Sequence, residues 1–301
     1  MTATVADRYL TRHGAECTSA ARPDPVVWGK GAVGPLTDAD LLRFETKGFH
    51  NMPGALSADE VRECYDEITR LANLPELQGD SRVVRESSSG EVRSVFDVHL
   101  LSELVSRIAR RRDLLGIVQQ ILGSPVYLHQ SRLNFKPGFI GGPFYWHSDF
   151  ETWHAEDGMP APRAVSISLA LTPNFDVNGS LMIMPGSHRE FVSCAGETPD
   201  DYFKQSLVTH LPLTGSPDPA TLTRMANAYG IEQMTGSAGS ATVFDSNCMH
   251  GSNGNITPYP RSNLFLVYNS VENTLNEPYS ARHRRPDFLG KRNFTPLEPA
   301  D

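Results

Sequence analysis

The chain is expected to fold mainly as β-structure, as a sandwich or jelly roll with helices packed outside it. Three observations carry that expectation. From Pro125 onward, short segments alternate with a period of two and are separated by Gly- and Pro-containing turns. Before that point the apolar spacing is helical, so a set of helices precedes the strands they would buttress. The 301 residues, 39% hydrophobic and 21% charged, supply a sizeable core, and no apolar run approaches membrane-spanning length. We read residues 1–301 as a single domain.

The elements follow in order. Residues 1–27 read as a loosely attached arm, because Arg22-Pro23-Asp24-Pro25 interrupts a stretch with little periodicity. Thr37 caps a helix over Asp38 to Lys47, with Asp40 at the box position and Gly48 as its stop. Ser57 with Glu60 opens a second helix, whose apolar stripe is Val61, Tyr65, Ile68 and Leu71. A third helical run spans Ser102 to Leu122 and ends at Gly123, with Arg110-Arg111-Arg112 as a solvated face. In the first strand Val126, Leu128, Gln130, Arg132 and Asn134 are expected on one face, and Tyr127, His129, Ser131, Leu133 and Phe135 on the other. From Arg163 to Thr172, Val165, Ile167, Leu169 and Leu171 oppose small residues, which leaves room inward for a ligand. Leu181 to Met184, Ala241 to Phe244 and Arg261 to Ser270 complete the strands. Between them, residues 196–240 read as a polar insertion with a short helix at Thr221 to Tyr229.

Composition narrows the function. A net charge of -8 with scattered basic residues argues against a nucleic-acid partner. Cys17, Cys64, Cys194 and Cys248 show no CxxC pairing, so neither a disulfide framework nor a zinc site is expected, and a reducing cytoplasm fits. The first eight residues lack the basic-then-apolar layout of a secretory signal.

The chemistry concentrates in Phe144-Tyr145-Trp146-His147-Ser148-Asp149-Phe150-Glu151-Thr152-Trp153-His154. His147 and Asp149 stand two apart, so on a strand both leave the same face. With a second His they form the two-His-one-carboxylate set of non-haem Fe(II) oxygenases. The best candidate for that His is His250. His154 lies past an expected turn and reads as a supporting or surface residue, whereas His188, after Pro185-Gly186, reads as a loop brace. Arg261, eleven residues beyond His250, suits a two-pronged grip on a carboxylate. A metal with open positions beside a carboxylate clamp points to a 2-oxoglutarate-dependent oxygenase. A lone His-x-Asp arises often by chance, and it is the distal His, the Arg and the small inward faces that strengthen it here.

The run from Phe144 to Pro160 resembles the signature of the ectoine hydroxylases, within the phytanoyl-CoA dioxygenase-like branch of the iron and 2-oxoglutarate enzymes. The likeness extends through Asp24 to Trp28, Val92 to Phe96, His129 to Arg132, Lys136 to Phe139, Leu181 to His188, His250 to Ser252, Tyr268 to Asn273 and Arg285-Pro286. The resemblance implies a double-stranded β-helix, cupin-like core. It implies iron on His147, Asp149 and His250, and 2-oxoglutarate on Arg261 with Ser252, Ser168 and Asn134 in support. It implies an ectoine pocket that includes Gln130, Thr152, Trp153, Phe244, Asn263, Phe265 and Arg282. Hydroxylation at C5, with O2 consumed and succinate and CO2 released, follows from it, as do a cytoplasmic homodimer and a role in osmotic protection.

Two rival readings stand beside this one. A related dioxygenase acting on proline or pipecolate would share the iron and cosubstrate residues and differ only in the pocket. A non-catalytic metal-binding β-barrel would have no use for Arg261. Phe244, Phe265 and Trp153 also suit plain core, Gln130 suits a buried backbone partner, and Arg282 suits a solvated cluster.

Overall fold

A computed structural model describes residues 7–86, 89–209 and 214–300. Residues 1–6 of the arm and 210–213 of the insertion therefore lie outside the described residues, as does most of the segment read for a secretory signal.

The two capped helices form as their sequences direct. Thr37 accepts from the Asp40 amide and Asp40 reaches back, opening α1 (Asp38–Lys47), which Gly48 closes with φ 84. Ser57 and Glu60 do the same for α2 (Ala58–Ala72). The third helical run is interrupted: after the short α3 (Val98–Leu101) come α4 (Glu103–Ala109) and α5 (Arg112–Leu122). Arg110 ends α4 and Arg111 precedes α5, so the arginine run is a helix break rather than a helix face. Arg111 pairs there with Asp113 and Glu60.

Thirteen strands are described. They are Thr18–Ala21 (β1), Phe49–Met52 (β2), Val83–Arg85 (β3), Val92–Phe96 (β4), Val126–Lys136 (β5), Phe144–His147 (β6) and Ala164–Ala170 (β7). Leu181–Ile183 (β8), Glu190–Ser193 (β9), Glu232–Met234 (β10), Ala241–Asp245 (β11), His250–Ser252 (β12) and Arg261–Ser270 (β13) follow. A seven-stranded antiparallel sheet has the order β2-β11-β7-β13-β5-β4-β3, and a four-stranded sheet the order β10-β8-β12-β6. α1, α2, α4 and α5 cover the outer face of the larger sheet. There Val165, Ile167, Leu169, Val243, Leu264 and Leu266 meet Phe44, Ile68, Leu114, Val118 and Ile121 in one buried cluster. Each such side chain contributes roughly 1.5–3 kcal/mol of burial. The greasy face of β7 thus points to the helices and its serines point inward, as expected from the alternation.

β5 departs from strict alternation. Leu128 pairs with Tyr268 and Gln130 with Val267, so His129 is an extra residue in a bulge. Val126 and Leu128 join the helix-side core; beyond the bulge Leu133 does so instead, and Gln130, Arg132 and Asn134 turn inward. The predicted common face for 126, 128, 130, 132 and 134 is therefore split at His129.

Two further expectations are corrected. From residue 7 onward the arm is fastened rather than loose: β1 pairs with β9, and Tyr9, Thr11 and Arg12 are buried. The insertion is not wholly an excursion, because its β10 completes the smaller sheet against β8. Its helix α8 (Pro219–Tyr229) is capped by Asp218, and a short α7 (Tyr202–Ser206) precedes it.

Candidate active site

β6 delivers His147 at its last residue, and Ser148 then caps a helical turn, α6 (Asp149–Thr152), that opens with Asp149. The two side chains converge because a strand gives way to a helix between them, not because they share a strand face. From the partner sheet position, β12 begins with His250 directly opposite His147. One ligand atom from each of His147, Asp149 and His250 falls within 4.8 Å of the others. His147 Nε2 lies 3.6 Å from Asp149 Oδ1, and His250 Nε2 lies 3.9 Å from Asp149 Oδ2.

Local hydrogen bonds fix both rings. His147 Nδ1 donates to the Tyr145 carbonyl at 2.7 Å, and His250 Nδ1 donates to the Cys248 carbonyl at 3.0 Å. A carbonyl only accepts, so each Nδ1 carries the proton and each Nε2 presents a lone pair to the common point. Burial, reinforced by His147, pulls the His250 imidazole down to about 4, keeping it neutral. Burial opposes ionisation of Asp149, but neighbouring positive charge, Arg132 included, outweighs it and holds the carboxyl well below its usual range. Two neutral imidazoles and one carboxylate on one side of a point fit a divalent iron with open positions.

Behind this point the barrel interior is basic. Arg261 is buried and Arg132 half-buried, and among the described residues neither Nε has a hydrogen-bond partner. Burial and the neighbouring Arg132 push the Arg261 guanidinium down to about 10, where it remains a cation at neutral pH. Arg132 lies 4.9 Å from the Phe265 ring centroid. Lys136 Nζ donates to Ser252 Oγ at 2.9 Å and also to the Asn253 carbonyl. Burial, then Arg261 and Arg93, push its ammonium well down. Buried cations without carboxylates of their own call for an anionic ligand. Arg132 and Lys136 were not singled out from the sequence. The available signal was their place on the inward phase of β5, which puts a charge on a sheet's inner face.

A cavity of about 140 Å³ opens beside the ligands, lined by Gln130, Arg132, Asn134, Phe144, His147, Asp149, Thr152, Trp153 and Leu289 among others. This size suits a small metabolite and no polymer. Gln130 Nε2 donates to the Leu289 carbonyl, leaving its Oε1 without a partner. Asn263 Nδ2 donates to Ser168 Oγ, and Asn134 Oδ1 accepts from Ser94. Phe244 packs 5.1 Å from the His250 ring within a buried apolar cluster that also holds Phe265. Arg282 is not brought to the cavity: its side chain is 76% exposed and lies 3.8 Å from Asp200. His154 is neither on the surface nor at the metal point; it is buried, with Nδ1 on the Met159 carbonyl. His188 braces the end of α1 through the Glu45 carbonyl, as its loop context suggested. Cys248 is buried and burial raises its thiol well above the usual value, in keeping with inert packing.

The comparisons agree with this geometry. The family model described as phytanoyl-CoA dioxygenase (PhyH) matches residues 44–263. An ectoine dioxygenase of Streptomyces coelicolor is 53% identical over 298 residues, 99% of both chains. EctD from S. alaskensis solved with bound Fe superposes with a TM-score of 0.87 at 40% identity, covering 98% of each chain. The same enzyme solved with 2-oxoglutarate and 5-hydroxyectoine gives 0.86 at 41%, covering 98% of this chain and 96% of that one. The jelly-roll core expected from the strand pattern is the fold these structures share. On these likenesses the chain belongs to the phytanoyl-CoA dioxygenase family, in its ectoine dioxygenase branch.

Proposed function

We propose that this chain hydroxylates ectoine at C5, consuming 2-oxoglutarate and O2 and releasing 5-hydroxyectoine, succinate and CO2. One observation carries the reading. Two ring-fixed histidines and a carboxylate meet at one point, in front of the Arg132 and Arg261 guanidiniums, whose Nε atoms have no partner among the described residues. The names of the similar proteins, ectoine dioxygenase and EctD, support the choice of substrate.

Bound to His147, Asp149 and His250, Fe(II) supplies the dioxygen chemistry that couples decarboxylation of the cosubstrate to hydroxylation of a carbon. The chain's own residues do the rest. Arg261, with Arg132, offers charge-assisted hydrogen bonds to the carboxylates of 2-oxoglutarate and fixes its orientation. Ser252, Ser168 and Asn134 line that path. Gln130, held by the Leu289 carbonyl, lines the cavity with a buried, unpartnered Oε1, the acceptor we assign to an amidinium N–H of ectoine. Trp153 walls the cavity, and its ring excludes water. Thr152 lines the cavity with Trp153, while Phe244 and Phe265 belong to a buried apolar cluster against His250 and Asn263 is bonded to Ser168. Arg282, exposed as it stands, takes part only if the segment carrying it moves inward. We place the reaction in the cytoplasm, which suits four free cysteines and their preference for a reducing compartment.

The test is to incubate the protein with Fe(II), 2-oxoglutarate, O2 and ectoine and to follow both products by mass spectrometry. Equal yields of 5-hydroxyectoine and succinate are expected. Succinate alone moves the search to another substrate; neither product, in protein shown to hold iron, rejects the reading.

A further inference from the structure

The arm from Asp7 to Arg22 touches both segments that carry metal ligands, and it does so with buried polar groups. Asp7 Oδ1 lies 3.0 Å from His154 Nε2. Tyr9 packs edge-on against Phe150 at 4.8 Å. Thr11 Oγ1 donates to Glu151 Oε1 at 2.7 Å. Arg12 grips Glu151 with two prongs, at 2.9 and 2.8 Å, and donates to Glu156 Oε1 at 2.6 Å. These contacts fall on the run from Asp149 to Asp157, which supplies one ligand and the Thr152 and Trp153 walls of the cavity. Ten residues on, Arg22 grips Asp245 through both carboxylate oxygens at 2.9 Å. That carboxylate also accepts from the Asn247 amide, and the Asp245 backbone carbonyl accepts from the Cys248 amide, in the turn into His250.

Both arginines are within 1% of complete side-chain burial. Buried ion pairs add little net stability over apolar packing, while the Arg12 fork on Glu151, and the Arg22 guanidinium shared between Asp245 and the Pro25 and Pro162 carbonyls, fix orientation closely. Arg12 also adopts φ 59, a left-handed conformation that a residue with a Cβ avoids unless its surroundings demand it. Gly215 seals the pair from the other side: a Cβ there would lie 2.6 Å from Arg12 Nη2. The two ligand segments are tied to each other as well, since Ser148 Oγ donates to Asn247 Oδ1 and Phe150 N to the Ser246 carbonyl.

We infer that the arm is a positioning strap for the metal centre, with Arg12 setting Asp149 and the Thr152–Trp153 wall and Arg22 setting His250. The inference rests on the function proposed above, and its test separates the two. Arg12→Lys and Arg22→Lys keep each charge; the first loses the two-nitrogen fork on Glu151, the second the Nη2 bonds that hold Arg22 to the Pro25 and Pro162 carbonyls. For Arg12→Lys the KM for ectoine should rise about tenfold, and succinate formed per hydroxyectoine should rise several-fold, as expected of a misplaced wall. For Arg22→Lys the affinity for Co(II), read from its visible spectrum without turnover, should fall about tenfold, as for other residues that orient ligands. Rescue toward normal values relative to Arg12→Gln and Arg22→Gln is expected of each lysine. If both lysine variants lower Tm yet keep KM, product ratio and Co(II) affinity, the arm merely stabilises the fold and the inference fails. Should Arg12→Lys not fold, the isosteric Glu151→Gln is read for the same ratio, and an unchanged ratio overturns the inference equally. Failure of the unsubstituted chain to convert ectoine would reject the substrate reading alone, because the Co(II) measurement still judges the strap.

Discussion

Among the described residues Arg132 forms no ion pair with a carboxylate, although it lies half-buried near Asp149 and Arg261. A charge-assisted hydrogen bond to a ligand is worth about 1.5–3 kcal/mol, or roughly 10- to 150-fold in affinity. Arg132→Gln should therefore raise the KM for 2-oxoglutarate by about that factor while iron binding survives; a KM like that of the unsubstituted chain would remove Arg132 from the cosubstrate's path. Asp149 and the two histidines were legible in the sequence because ligand chemistry tolerates few residue types at such short spacing. Their convergence was legible for the wrong reason, since the strand ends at His147 and a helical turn aims Asp149. Arg132 escaped notice because a charge on an alternating strand reads as solvent-facing until the opposing sheet is known. The sequence placed Arg282 by likeness only, and nothing local draws its side chain inward.

At the scale of elements, the segment from Asp149 to Asp157 is held by carboxylates whose ionised forms the fold favours. Burial opposes ionisation of Glu151 and Asp157, but Arg12 in one case and Arg285 in the other outweigh it and lower both. A depressed folded value means that the unfolded chain binds more protons, so stability is present above the unfolded values of 4.5 and 3.8 and is lost as pH falls through the folded ones. Thermal melts should thus hold steady from pH 7 to about 5 and decline below about 4.5. In Glu151→Gln that acid slope should be shallower; an unchanged slope would exclude Glu151 as its source. In the helix layer, Ile167→Ala should cost about 2–5 kcal/mol by leaving a cavity under α5, as urea unfolding would report. The capped helices and the β7 alternation were legible because their signals are local. The arm was not, because its fastening joins residues 139 to 144 apart in sequence through polar pairs that leave no periodic trace. The break at Arg110 and Arg111 was hidden for another reason: arginine is a good helix former, and the partners found at the break, Glu60 of α2 and Ala300, lie far away in sequence.

Across the whole molecule, the smaller sheet supplies both metal-ligating histidines and the larger sheet the basic groups behind them. His147 comes from β6, His250 from β12, and the basic groups behind them from β5 and β13 of the larger sheet. A ligand that binds only this assembled state stabilises it by mass action, by about 2.7 kcal/mol at a concentration one hundred times its dissociation constant. Fe(II) with 2-oxoglutarate should accordingly raise Tm by several degrees under anaerobic conditions, a chelator should reverse the rise, and Asp149→Ala should show none of it. An equal rise in Asp149→Ala would place the metal elsewhere. The sandwich itself was legible from strand count and alternation. That residues 196–240 return a strand to it was not, because Glu232-Gln233-Met234 is too short and too polar to announce itself.

The bulge at His129 makes one position in β5 different from all the others. Deleting a residue within a strand normally inverts everything downstream, sending core side chains to solvent and ligand-facing ones to the core. Deleting His129 instead leaves Val126 and Leu128 outward and Gln130, Arg132 and Asn134 inward, because it removes the residue that has no partner on β13. The longest strand of the core thus carries a single site of tolerated length variation, set between the half that builds the scaffold and the half that serves the chemistry. A deletion at Ser131, two residues along, should yield no folded protein, whereas the chain lacking His129 should fold and lose what His129 makes: its ring contacts with Trp153 at 4.9 Å and Asp157 at 3.6 Å, and its carbonyl's bond from the Lys291 amide at 3.0 Å.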